Sequence, residues 1–208
     1  MSSQSFEDLI AVILLAAGLS TRASPRNKLL VATPGDDTAR PMVRRSAEIL
    51  LASRAQSVIV VTGHEPTKVK AALDGLTVTF VHNPDYSDGM AGSLAAGIAA
   101  LPDHVSGALI ALGDMPKLHT NTVNALIETF DHAAGRSICI PVQEGRRGNP
   151  VLFGRAHFPS LSVLMGDHGG KTVVRANPDA VAEVAVADPG AAQLAARGLV
   201  VVADGVLE

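Results

Sequence analysis

Short runs of β-branched and aliphatic residues alternate along the chain with segments of helical spacing, and that alternation narrows the possible folds more than any other feature. The runs are Ala11–Ala16 (AVILLA), Ser57–Thr62 (SVIVVT), Val78–Val81 (VTFV), Gly107–Leu112 (GALIAL), Ser137–Val142 (SICIPV) and Val181–Ala187 (VAEVAVA). The first, second and fourth are nearly continuous in apolar character, as strands covered on both faces must be. Between them, Met42–Ser53, Pro66–Leu73, Ser93–Leu101 and Thr120–Ala133 read as helices, with starts expected at Ser93 and Thr120. The pattern predicts an α/β fold: a mainly parallel, twisted sheet with helices on both faces. Gly145–Pro150 (GRRGNP) reads as a turn or hairpin, and the stretch after Asp188 as a short helix and one last strand. Ala32–Arg40 is a polar Gly/Pro loop rather than a linker, so residues 1–208 are expected to form a single domain.

Composition removes several classes of function. A net charge of −3 and a pI near 6.1 lack the basic excess that broad binding to nucleic acid or to anionic membrane needs, so any anion site must be local. Tryptophan is absent and aromatics make up 3% of the chain, which leaves little for stacking single-stranded bases. The lone Cys139 excludes an internal disulfide framework, and the seven histidines show no zinc-type spacing. The N-terminus has no positive region, and the apolar run Leu9–Ala17 is half the length of a membrane span, so a cytoplasmic chain without anchor or targeting segment is expected.

In an open α/β sheet, ligands bind beyond the carboxyl ends of the strands, where loops diverge and helix N-termini point their N–H groups inward. That rule selects the loops Gly18–Lys28, His82–Ser93 and Gly113–Pro116. The first has neither Walker A spacing nor G-x-G-x-x-G. It offers a small-residue elbow, Ala16-Ala17-Gly18, followed by Arg22 and Lys28, cations able to pair with phosphate oxygens; a solvated basic loop is the bland alternative. Asp114, in LGDMP, stands just beyond an apolar strand, where one carboxylate can hold Mg²⁺ together with substrate phosphates or simply cap its own loop. Free N–H groups at Gly89–Ser93 can hold a phosphate or a ribose, or serve an ordinary helix cap. GRRGNP and Gly166–Lys171 (GDHGGK) are further polar glycine-rich loops that individually look like solvated turns. Cys139 fits the core better than a nucleophile, and no Gly-x-Ser-x-Gly elbow supports acyl transfer.

Four segments occur in one order: LLAAGLSTRASPRNKLL, HNPDYSDGMAGSL, LGDMP and GRRGNPVLFGRAHF followed by LMGDHGGK. Together they resemble the MobA-like nucleotidyltransferases, most closely the molybdenum cofactor cytidylyltransferase branch, over roughly residues 10 to 187. The resemblance implies a Rossmann-like nucleotidyltransferase fold and a Mg²⁺-dependent enzyme. It places Leu15, Ala16, Ala17, Gly18, Asn83, Gly89 and Ser93 along the nucleotide, Arg22 on the β and γ phosphates, Lys28 at the reacting α-phosphate and Asp114 on the metal. Met90, Arg147, Asn149 and Asp167 fall to the acceptor side. In the family, LAAG accompanies CTP and LAGG accompanies GTP, so this chain resembles the cytidine version. It departs from the family at Arg22-Ala23-Ser24-Pro25, where relatives carry a glycine, and after Val186, where their D-x-D-T-P-x-D segment is not reproduced. Asp167, Asp188 and Asp204 are the candidates for a second acid.

The expected reaction is transfer of CMP from CTP to the phosphate of a molybdopterin-type acceptor, with release of pyrophosphate. Two alternatives stay open: another phosphorylated acceptor, such as a sugar or polyol phosphate, or a non-catalytic cofactor chaperone that delivers to a molybdoenzyme.

Overall fold

The central apolar runs become strands that a sheet covered on both faces can bury, and the alternate residues of β1 (Ile10–Ala16) show the division. Val12, Leu14 and Ala16 face one core, while Ala11, Ile13 and Leu15 face the other. A computed structural model describes residues 8–19, 27–33, 35–167 and 169–192. In chain order the described elements are β1, α1 (Met42–Leu51), β2 (Ser57–Thr62), α2 (Pro66–Ala72), β3 (Thr79–His82), α3 (Met90–Ala99), β4 (Gly107–Leu112) and α4 (Thr120–Thr129). They continue with β5 (Ile138–Gln143), β6 (Arg146–Arg147), β7 (Val151–Gly154), α5 (Phe158–Ser162), α6 (Lys171–Ala176), β8 (Val181–Ala185) and α7 (Pro189–Ala192).

The sheet runs β3-β2-β1-β4-β7-β5-β6, with β8 pairing β5 in parallel. β1, β2, β3 and β4 are parallel neighbours. β7 lies antiparallel to both β4 and β5, so β5 and β8 run in the direction of β1. All the strands except β6 and β7 therefore present their carboxyl ends at one edge. Residues of α1, α4 and α7 pack in the core that holds Val12 and Leu14, and those of α3, α5 and α6 in the core that holds Ile13 and Leu15. Each fully buried Leu, Ile or Val contributes roughly 1.5–3 kcal/mol. Helix α3 lies directly on the sheet: a Cβ at Gly97 would come within 2.5 Å of Ile13.

The expected architecture, a mainly parallel sheet between helices, is the observed one. Local structure departs from the expected pattern in several places, apart from shifts of one to four residues at element ends. Helix α3 begins at Met90, not at Ser93, because Gly89 takes φ 114°, which a side chain rarely tolerates, and turns the chain into the helix. β7 (VLFG) was not expected; it is only four residues long and directly follows the turn-like GRRGNP. The helices α5 and α6, five and six residues long, are too short to show an apolar period. The last strand expected after Asp188 lies outside the described residues, and α7 carries the helical start. No helix among the described residues is long and apolar enough to cross a membrane.

Candidate active site

At the end of β1 the apolar strand delivers backbone rather than side chains. Leu15, Ala16 and Ala17 are buried, and only at Gly18 does the chain become exposed. The elbow expected at Ala16-Ala17-Gly18 is thus displaced toward Gly18, since Ala16 is still within the strand. Two carbonyls near it are already engaged: Leu15 accepts the N–H of Gly113 at 2.9 Å, and Ala17 accepts that of His64 at 3.1 Å. What Leu15, Ala16 and Ala17 can offer a ligand is main chain, with Gly18 open beside them.

The chain is described again at Asn27, whose buried side-chain oxygen accepts the Leu29 N–H at 3.1 Å and caps the single turn Lys28–Leu30. Leu29 sinks into the core against Gly113, where a Cβ would lie 3.2 Å from its side chain. That packing joins the loop after β1 to the loop after β4. Across it, Lys28 Nζ and Asp114 Oδ2 stand 2.7 Å apart, with the side chains 30% and 17% exposed. Both groups are half-buried at neighbouring strand ends and both face outward enough to meet a ligand. Lys68 above all, and Asn27 to a lesser degree, hold the Glu65 carboxyl below the usual carboxylate range, which ties the Asn27–Lys28 turn to the start of α2.

The pair is complementary to a metal–triphosphate: an ammonium for phosphate oxygens and a carboxylate for a cation. No group of three or more His, Cys, Asp or Glu side chains that could hold a metal ion exists among the described residues. A single carboxylate still fits Mg²⁺, which takes one or two protein carboxylates and draws its other ligands from phosphates and water. Asp188 does not supply a second one. It is wholly buried, and its carboxylate accepts the His119 N–H (2.8 Å), the Thr122 hydroxyl (2.6 Å) and the Gly190 N–H (2.9 Å), so it caps α4. Arg22, Asp204 and the S-x-R departure at Ala23-Ser24-Pro25 lie outside the described residues.

The remaining sequence-selected residues fall into two groups along the same edge. Asn83 and Ser93 are buried and bonded to each other at 3.0 Å, and Asn83 also accepts the Asp85 N–H at 3.1 Å. They brace the loop between β3 and α3 behind its surface. Gly89 and Met90 meet the loop after α5: a Cβ on Gly89 would fall 2.4 Å from Gly166, and the Ala91 N–H donates to the Gly166 carbonyl at 3.0 Å. Asp167, exposed, adjoins that contact. The other group is the β6 turn. Arg147 is paired with Glu183 at the far end of the sheet, away from Lys28 and Asp114. Asn149 is wholly buried, and among the described residues neither side-chain atom has a hydrogen-bond partner. Because Ile110 opposes Val151, Asn149 arrives beside the carboxyl end of β4. Sequence reasoning missed Ser46, a buried serine of α1 whose hydroxyl bonds to the peptides on both sides of Asp114. Nothing in the sequence marks it out from any other serine within a helix.

Comparison with known proteins places the chain in a family. Nicotine blue oxidoreductase of Paenarthrobacter nicotinovorans is 32% identical over 174 residues, covering 80% of this chain and 81% of that protein. The bifunctional protein GlmU of Mycobacterium sp. (strain KMS) is 27% identical over 151 residues, 70% of this chain, which spans only 29% of GlmU. Among solved structures, Rv0371c of Mycobacterium tuberculosis H37Rv superposes with a TM-score of 0.75 at 24% identity, covering 86% of this chain and 89% of that one. The complex of Rv0371c with manganese gives a TM-score of 0.68 at 25% identity, over 86% and 88% of the two chains. The family described as MobA-like NTP transferase domain matches residues 12–184, from β1 into β8, so the chain belongs to the MobA-like nucleotidyltransferases.

Proposed function

We propose that the protein transfers CMP from CTP to the phosphate of a molybdopterin-type acceptor and releases pyrophosphate. The observation that carries this reading is the Lys28–Asp114 pair, 2.7 Å apart at the carboxyl ends of β1 and β4, beside the main-chain elbow at Gly18. A phosphate monoester is already anionic near neutral pH, so its oxygen attacks the α-phosphorus without a general base. The new P–O bond forms as the bond to the bridging α–β oxygen breaks and pyrophosphate leaves. Lys28 donates to the α-phosphate oxygens as charge builds there, and Arg22 holds the β and γ phosphates. Asp114 would hold Mg²⁺, which supplies charge neutralisation on the triphosphate.

The LAAG sequence supports cytidine as the base, and the acceptor side runs from Met90 and Asp167 to Asn149. The Asn149 side chain, without a hydrogen-bond partner among the described residues, supports that assignment. Leaving a buried polar group unsatisfied costs about 1–3 kcal/mol, a cost that an acceptor bonded there would offset. The test is pyrophosphate release with CTP, GTP, ATP and UTP, with Mg²⁺, with and without molybdopterin. CTP turnover that needs molybdopterin is the expected result; activity with GTP alone overturns the cytidine assignment, and turnover with a sugar or polyol phosphate replaces the acceptor. Molybdopterin bound tightly with no turnover under any nucleotide makes the protein a chaperone for a molybdoenzyme.

One observation favours a second reading. The relative at 32% identity is an oxidoreductase aligned over 81% of its length. Redox turnover of nicotine blue by this protein, in the absence of any pyrophosphate release, would replace nucleotidyl transfer with that activity.

A further inference from the structure

We infer that Ser46 is a positioning residue that fixes the Asp114 carboxylate against Lys28. Ser46 lies in the second turn of α1 and is 1% exposed, so its hydroxyl must find partners inside the protein. One partner is local, the Met42 carbonyl at 2.9 Å. The other two flank Asp114 in the chain: the Gly113 carbonyl, 3.0 Å from the hydroxyl, and the Met115 N–H, which donates to it at 3.1 Å. A single buried hydroxyl therefore bridges the peptide groups immediately before and after the proposed metal carboxylate.

The rest of the surroundings makes this grip decisive for the side chain. Gly113 is held from the other side by its N–H bond to the Leu15 carbonyl at 2.9 Å and by Leu29 packed above it. Leu29 follows Lys28 directly and is locked by the Asn27 cap. Lys28 is thus fixed from the β1 side, and Ser46 fixes Asp114 from the α1 side. The hydroxyl carries one proton for two carbonyls, Met42 and Gly113. With alanine there, the Gly113 carbonyl and the Met115 N–H both lose their bond to residue 46.

The inference rests on the nucleotidyltransferase reading for its consequence, while its structural content can be measured separately. The first measurement is a double-mutant cycle between Ser46→Ala and Asp114→Asn in urea unfolding. If Ser46 acts through Asp114, the two effects are non-additive; strict additivity of the unfolding midpoints overturns the inference. The second is Mn²⁺ binding in the presence of CTP and without acceptor, followed by electron paramagnetic resonance. Ser46→Ala is expected to weaken Mn²⁺ about 10-fold and to lower kcat with KM for CTP little changed, since removing a partner that orients a metal ligand costs roughly 10–100-fold. Ser46→Thr, which keeps the hydroxyl, is expected to restore most of both. Ser53→Ala, which removes a hydroxyl bond to the Leu50 carbonyl in the turn that closes α1 but touches nothing near Asp114, controls for helix stability. Ser46→Ala with full Mn²⁺ affinity and full kcat but a lowered Tm makes the serine merely structural. Wild-type protein that binds no Mn²⁺ with CTP defeats the nucleotidyltransferase reading, and the unfolding cycle then decides the inference alone.

Discussion

Lys28 and Asp114 are 86 positions apart in the chain, yet both are legible in the sequence: Asp114 stands just past one central apolar strand, and Lys28 closes the basic loop that follows another. Their roles separate by experiment. Lys28→Ala is expected to lower kcat on the order of 10²-fold, the usual cost of removing one transition-state donor, with a smaller change in KM. A rise in KM alone would assign Lys28 to ground-state binding. Asp114→Ala should nearly abolish metal-dependent pyrophosphate release, and turnover like that of wild type removes Asp114 from the mechanism. Other residues changed meaning once the fold was in view. Asn83 and Ser93, expected along the nucleotide, are buried and bonded to each other, and Asn83 also to the Asp85 N–H. Leu15 and Ala16 belong to opposite cores, so a contact with nucleotide can come only from their main chain.

At the scale of elements, the segment after β8 clamps the loop that carries Asp114. Asp188 caps α4 through His119 and Thr122, and Gly190 lies so close to Lys117 that a Cβ would stand 2.2 Å from its carbonyl oxygen. Asp188→Ala removes a buried charged acceptor from three donors and is expected to cost about 2–4 kcal/mol, a Tm drop of roughly 5–10 °C in a scanning measurement. A drop near zero would mean that α4 is capped by something other than Asp188. An aspartate followed by proline and glycine signals a turn but not which helix it caps, because that partner lies 66 residues earlier in the chain. β7 was missed for a related reason. Four residues after a proline carry too little pattern, and the pairing with β4 and β5 that makes them a strand is wholly non-local.

For the molecule as a whole, acid is expected to act on stability through His157 at the opposite edge of the sheet from Lys28 and Asp114. Its ring is buried beside Phe153, and its Nε2 lies 2.9 Å from the Ser137 hydroxyl. Burial pushes its pKa below the ordinary 6.5, so on acidification the unfolded chain takes up the proton first. The contribution of His157 is therefore complete above the unfolded value and is lost as pH falls through it toward the folded one. Urea midpoints measured at pH 7.5 and 5.5 should fall less in His157→Asn than in wild type; equal falls would show that the histidine does not couple folding to pH. The sequence by itself determined the alternation of strands and helices, and the cation and acid that meet at the carboxyl edge. These follow from local periodicity and from the rule that a strand buried on both faces must be apolar throughout. Only the tertiary structure decided that Asp188 is a cap and that Ser46 grips the peptides on both sides of Asp114. Those facts depend on hydrogen bonds between segments far apart in the chain, and such bonds have no local period for a sequence to display.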